Sequence, residues 1–194
     1  MAMKISATFD YAATTRQVFA MLADEDFQIR KCLATGALSH SVSISANGDR
    51  TLIVSLRHLP TERFPDFVRN LVGATLAVTE TQDWGPPGSD GARQGRLTVD
   101  LAGAPVDMAG TLSLAPAGRG SVESVDGDLR ARILLIGSKI EKAAAPAIES
   151  AINAERKTGH AWLRTTRRVP VCSRQEGLLS SGRFLAPESG LRAA

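Results

Sequence analysis

Three residues in this chain combine proton chemistry with an apolar setting. His40 alternates with Leu38, Val42 and Ile44; His58 closes the series Leu52, Val54, Leu56; Glu80 follows Leu76 and Val78. Period-two alternation places each series on one face of a strand. Turned inward, these faces would project two imidazoles and a carboxylate into an apolar interior, where polar groups need partners. The partners are the oxygens of a bound molecule or one another; at strand ends near a rim, water or local hydrogen bonds would serve. A histidine–carboxylate pair in an apolar pocket could also work as an acid–base couple. By the same alternation Arg57 lies opposite His58 and is expected to face solvent.

Other chemistries leave no trace. The sequence has no GxGxxG after a strand, no P-loop, no HExxH and no GxSxG elbow. His160 is remote from the other two histidines, and Cys32 and Cys172 belong to no CxxC or metal-spaced cluster, so both read as free thiols. Neither a metal nor a cofactor is expected. Trp84 ends a strand before "GPPGSDG", where it could line a cavity mouth or plug the sheet edge. Trp162 reads as a core anchor, and Lys139, Glu141 and Lys142 as a solvated helix face.

The net charge of +3 hints at nucleic acid until it is divided. From Arg164 onward six arginines against Glu176 and Glu188 give +4, so residues 1–163 carry −1. Phosphate binding needs a basic face on the folded body, and a basic tail does not supply one. No apolar run approaches the roughly 18 residues that span a membrane. The start, "MAMKISATFDYAA", lacks a signal-peptide apolar core, which makes the cytoplasm the expected compartment. Oligomeric state leaves no signature.

The elements that must position these residues are legible in order. "KISATF" is a strand; Thr14 or Thr15 caps a short helix with Val18, Phe19 and Leu22; Asp24 caps a second, with Phe27, Ile29 and Cys32 or Leu33, that Gly36 stops. About six strand-like segments follow, punctuated by "NGD", "GPPGSDG" and "APAGRG". The last begins near Val122, carries a bulge near Asp126–Gly127 and ends in "ILLIG" at 133–137. Residues 138–163 form one long helix. Its inner face follows Ile140, Ala144, Ile148, Ala151 or Ile152, and Glu155, and Pro146 bends it. Residues 164–194 have no sustained period and read as a disordered basic tail.

One connection is unusual. "LPTERFPDFVRNLVG" at 59–73 places a short amphipathic helix between two strands. Phe64, Phe67 and Leu71 lie on one side, Pro65 near its start and Gly73 at its end. Such a helix would lie across the open end of the sheet, either as a lid over an apolar occupant or as a permanent cap.

These elements imply an α+β fold in which a curved antiparallel sheet of about 6–7 strands wraps one long C-terminal helix, two short helices following the first strand. A helix faced with alanine cannot fill the concavity of so wide a sheet, so either sheet side chains fill it or a cavity remains. The order is similar to the helix-grip fold of the START and SRPBCC superfamily. The segments "ATFDYAATTRQVFAMLADEDFQ", "RFPDFVRNLVGATLAVTETQDW", "PVDMAGTLSL" and "LLIGSKIEKAAAPAIESAINAE" resemble an actinobacterial family of unknown function within it, over roughly residues 3–163. The resemblance implies a helix-grip domain over 1–163 and a cavity for a lipid, isoprenoid or polyketide-like molecule. His40, His58, Phe64, Phe67, Leu71, Val78, Glu80, Trp84, Met108, Ile140, Ala144 and Ile148 are the expected ligand contacts. Two other readings stand beside it: a cyclase/dehydratase using His40, His58 and Glu80, and a filled-core module that binds a protein partner.

Overall fold

Why this chain makes these elements is visible at their ends. The structure, a computed structural model, describes residues 2–62, 64–133 and 136–166. Strand β1 (Met3–Tyr11) buries every second residue and hands over to α1 (Thr15–Leu22). Thr14 and Gln17 close a reciprocal capping box there: the Gln17 amide donates to Thr14 Oγ1 (3.3 Å) and the Thr14 amide to Gln17 Oε1 (3.0 Å). Asp24 accepts from the Phe27 amide (3.2 Å) and starts α2 (Glu25–Ala34), after which Gly36 turns the chain at φ 81°.

The hairpin of β2 (Ser39–Asn47) and β3 (Arg50–Pro60) turns at Gly48, whose φ of 59° suits the "NGD" signal. Helix α3 (Asp66–Val72) interrupts the meander, followed by β4 (Thr75–Trp84), β5 (Arg93–Leu101), β6 (Val106–Ala117) and β7 (Gly120–Ala131). The chain then enters α4 (Gly137–Thr166). All seven strands form one antiparallel sheet in the order β1-β7-β6-β5-β4-β3-β2. One inward row runs across it from Ile5 through Gly127, Gly110, Leu97, Gln82 and Ile53 to Ile44. No described helix is long and apolar enough to cross a membrane.

Four local expectations are corrected. β3 presents Ile53, Ser55 and Arg57 inward, so Leu52, Val54, Leu56 and His58 lie on the outer face, and Arg57 is buried rather than solvated. The last strand ends at Ala131, before the apolar run, whose Leu134 and Leu135 lie outside the described residues. Glu141 is buried, its Oε1 accepting from the Ala131 amide (3.1 Å) where β7 ends. Pairing of β7 with β6 and β1 is unbroken, so Asp126–Gly127 carries no bulge. There Gly110 and Gly127 face each other instead. A Cβ on Gly110 would overlap the Asp126 carbonyl, and one on Gly127 would come within 2.6 Å of Met108 Cε.

These two backbones approach closely, with no side chain between them. Gly110→Ala therefore forces backbone apart, and a loss of about 1–3 kcal/mol is expected in urea unfolding. A change under about 0.5 kcal/mol would mean that the strand relaxes freely.

Candidate functional site

α4 rests on α2, α1, β7 and β1 and faces the concave side of the sheet. Between them lies a cavity of about 180 Å³, walled mostly by aliphatic side chains. Its helix wall is the stripe read from the sequence: Ile140, Ala144, Ile148, Ile152 and finally Glu155. At 1.5 Å per residue this wall is about 22 Å long. Alanine at 144, 147 and 151 keeps the helix surface shallow, and that is why space remains.

Of the expected contacts, Phe64, Leu71, Val78, Glu80 and Met108 line this cavity from α3 and the sheet, and Ile140, Ala144 and Ile148 line it from α4. His40, His58, Phe67 and Trp84 do not. His40 is on the inner face of the edge strand, opposite Arg57 in register and half-buried. His58 is on the outer face, its Nδ1 3.0 Å from Ser39 Oγ. No hydrogen bond joins either histidine to Glu80 among the described residues, so the expected acid–base trio is not assembled. Phe67 is 42% exposed because α3 turns Val68 inward in its place. Trp84 is fully buried under the Phe19 ring, edge to face at 5.8 Å, and is a plug rather than a mouth residue. Trp162 packs edge-on against Phe27 at 5.9 Å, as an anchor should.

One end of the cavity is charged. Lys31, 1% exposed on α2, places Nζ 2.7 Å from Glu80 Oε1 and 3.6 Å from Glu155 Oε1. Arg57 Nη1 is 3.2 Å from Glu80 Oε2. A hydrogen-bond chain extends the cluster into the core: Trp84 Nε1 donates to Gln82 Oε1 (3.0 Å), and Gln82 Nε2 donates to Glu80 Oε1 (2.8 Å). Trp84 thus serves the site indirectly, by orienting Gln82. On the far side Glu123 of β7 enters the cavity wall, near Tyr11 of β1.

The charges sort themselves by environment. Burial alone would raise Glu80, but Lys31 and Arg57 reverse this and hold it well below the usual carboxylate range. Burial disfavours the Lys31 ammonium, yet Glu155 and Glu80 more than compensate and its pKa is raised. Burial and then the Glu155 charge push Glu123 up to about 8. Glu155 is raised as well, chiefly by burial, and burial, then Glu123, raise the Tyr11 hydroxyl.

Glu80 and Glu155 stand on the inward faces expected of them, Arg57 lies inside where solvent was expected, and the sequence reading did not single out Lys31, Glu123 or Tyr11. The signal for Lys31 was its position four residues after Phe27 on the inner side of α2, where Gln28 is also buried.

A family model described as a protein of unknown function (DUF2505) matches residues 6–163. Among curated proteins the chain is 25% identical over 166 residues to the uncharacterized protein Rv0481c of Mycobacterium tuberculosis H37Rv, covering 79% of this chain and 92% of that one. Among solved structures it resembles the Zhui aromatase/cyclase of Streptomyces sp. R1128, with a TM-score of 0.56, 12% identity, and 86% and 98% of the two chains covered. A START superfamily protein of Mycobacterium smegmatis gives a TM-score of 0.50 at 13% identity over 82% and 98%. At these identities the structures establish the START-like fold and nothing finer.

Proposed function

Because the chain belongs to the family described as a protein of unknown function (DUF2505) and has the START-like helix-grip fold, we propose that it binds a hydrophobic small molecule between sheet and α4 without converting it. The observation that carries this reading is the aliphatic-walled space along α4, closed at one end by a charged cluster and edged by α3. Aliphatic walls gain by covering apolar surface, at about 25 cal/mol per Å² removed from water.

The volume bounds the occupant. About 180 Å³ is below the roughly 300 Å³ at which pockets for drug-sized molecules begin. It is close to the ~150 Å³ apolar cavity that holds benzene. A compact ring system or a single alkyl or isoprenyl chain fits this reading, and a large polycycle requires α3 to move. α3 is suited to moving: Val68 is its one buried side chain, and Phe67 and Leu71 are partly exposed. The reading places the binding in the cytoplasm, as the sequence leads one to expect.

Titration with N-phenyl-1-naphthylamine, a neutral apolar fluorophore, tests it. Saturable fluorescence enhancement at one site is expected. Ala144→Phe, which fills the helix wall, should weaken it at least tenfold with the circular dichroism spectrum retained. Phe64→Ala should alter affinity while Phe67→Ala, whose ring lies outside the wall, should not. Equal affinity in wild type and Ala144→Phe would place the probe elsewhere and refute the reading.

A further inference from the structure

Buried polar atoms are almost always hydrogen-bonded, and the charged end of the cavity departs from this. Among the described residues Arg57 Nε is buried and has no hydrogen-bond partner, and Glu123 Oε2 and Tyr11 Oη are buried with no partner but each other. Arg57 and Glu123, 7% and 1% exposed, both line the cavity, from β3 and β7 respectively. Arg57 commits Nη1 to Glu80 and leaves its Nε–H uncommitted.

Charge counting identifies what such atoms can meet. Two cations, Lys31 and Arg57, stand against Glu80 and Glu155. A third carboxylate would tip this buried group to net negative, and burial together with Glu155 keeps Glu123 protonated near neutrality. A protonated carboxyl is a donor, as is a guanidinium Nε–H. Glu123 and Tyr11 carry two hydroxyl protons, and their mutual hydrogen bond satisfies one of them, so with Arg57 Nε–H the end of the cavity offers two unmet donors in a group whose charges already balance. A ligand carboxylate would add negative charge beside Glu80 and Glu155, and an ammonium would meet Lys31 and Arg57. A pure hydrocarbon would leave both donors unpaired.

We propose that the ligand carries a neutral acceptor oxygen, a carbonyl or hydroxyl, at its buried end, and that Arg57 Nε–H and the Glu123 carboxyl donate to it. This rests on the binding reading above and gives it a substrate class: apolar ketones, aldehydes or alcohols of compact or single-chain shape. The groups that act on Glu123 are Tyr11 from β1, Lys31 from α2, Glu80 from β4 and Glu155 from α4.

Three probes of matched size separate the outcomes by calorimetric titration at pH 6.5: 1-ethylnaphthalene, 1-acetonaphthone and 1-naphthoate. The ketone should bind about tenfold more tightly than the hydrocarbon, the gain of one charge-assisted hydrogen bond, and more tightly than the carboxylate. Glu123→Gln, which keeps an N–H donor, should retain the advantage; Glu123→Leu should lose most of it, and Arg57→Lys, which keeps the charge without Nε, should reduce it. In wild type the advantage should fall above about pH 8, and in Glu123→Gln it should not. Equal binding of ketone and hydrocarbon, tightest binding of the carboxylate, or an advantage that survives both Glu123→Leu and Arg57→Lys would each overturn the inference while leaving the cavity reading intact. Failure of all three probes to bind would defeat the cavity reading and this inference together. The probe comparison in wild type and Glu123→Gln decides the matter even if Glu123→Leu does not fold.

Discussion

Lys31→Met should lower the unfolding free energy by about 3–5 kcal/mol, because removing one partner of a buried ion pair strands the other charges. Lys31 is the cation shared by Glu80 and Glu155, at 2.7 and 3.6 Å. Methionine replaces its stem without leaving a large void, so the loss reports charge rather than packing. With Lys31 gone, Arg57 alone faces two carboxylates, and Glu155, already raised, takes up a proton more readily.

Two consequences separate this account from simple loss of packing. The double variant Lys31→Met/Glu155→Gln restores the balance of Arg57 against Glu80 and should recover at least half of the lost stability; a packing defect would not be rescued, and the two losses would add. The pH dependence should change as well. In the wild type Glu80 is lowered to about 2, so its contribution is present above the unfolded value near 4.5 and is lost as pH falls through about 2. Without Lys31 that loss begins at higher pH. Chemical denaturation at pH 7 and pH 4 measures both; a single-variant loss under about 1 kcal/mol would mean that the pair is solvated.

The helical half of the site was legible because a helix states its inner face through spacing. Ile140, Ala144, Ile148 and Glu155 are placed by the rule of three and four, and all line the cavity. Alanine at that spacing also signals that the helix leaves room. Strands give less. Period two divides β3 into two faces but does not say which is inside, and a wrong choice moves every side chain at once. The outer set, Leu52, Val54, Leu56 and His58, is the more apolar of the two by composition, so hydrophobicity pointed the wrong way. What puts Ser55 and Arg57 inside is Glu80, which register pairing sets directly across from Ser55 on β4. That information is non-local: Arg57 is inward because a carboxylate 23 positions later needs it, and Lys31 because the same carboxylate lies 49 positions away. Phe67 was misassigned for a related reason, since α3 contributes Val68 and Leu71 to the interior and the bulkier ring stays at the rim.

Glu123 should make the protein less stable as pH rises through neutrality, the reverse of the usual carboxylate. Its folded pKa is about 8 against an ordinary 4.5, so between those values the native state holds a proton that the unfolded chain has released. Stability from this group is complete below pH 4.5 and lost as pH climbs through 8. Between pH 6 and pH 9 the loss amounts to roughly 2–3 kcal/mol.

Glu123→Gln removes the titrating proton while keeping shape and a donor. Its stability at pH 6 should match the wild type within about 1 kcal/mol, and at pH 9 it should exceed it by about 2 kcal/mol. Crossing of the two stability curves between those values, followed by urea unfolding at fixed ionic strength, is the signature of a buried neutral carboxyl. Parallel curves would mean that Glu123 is ionised in the native state, in which case Lys31 and Arg57 face three anions and no donor remains at that wall of the cavity.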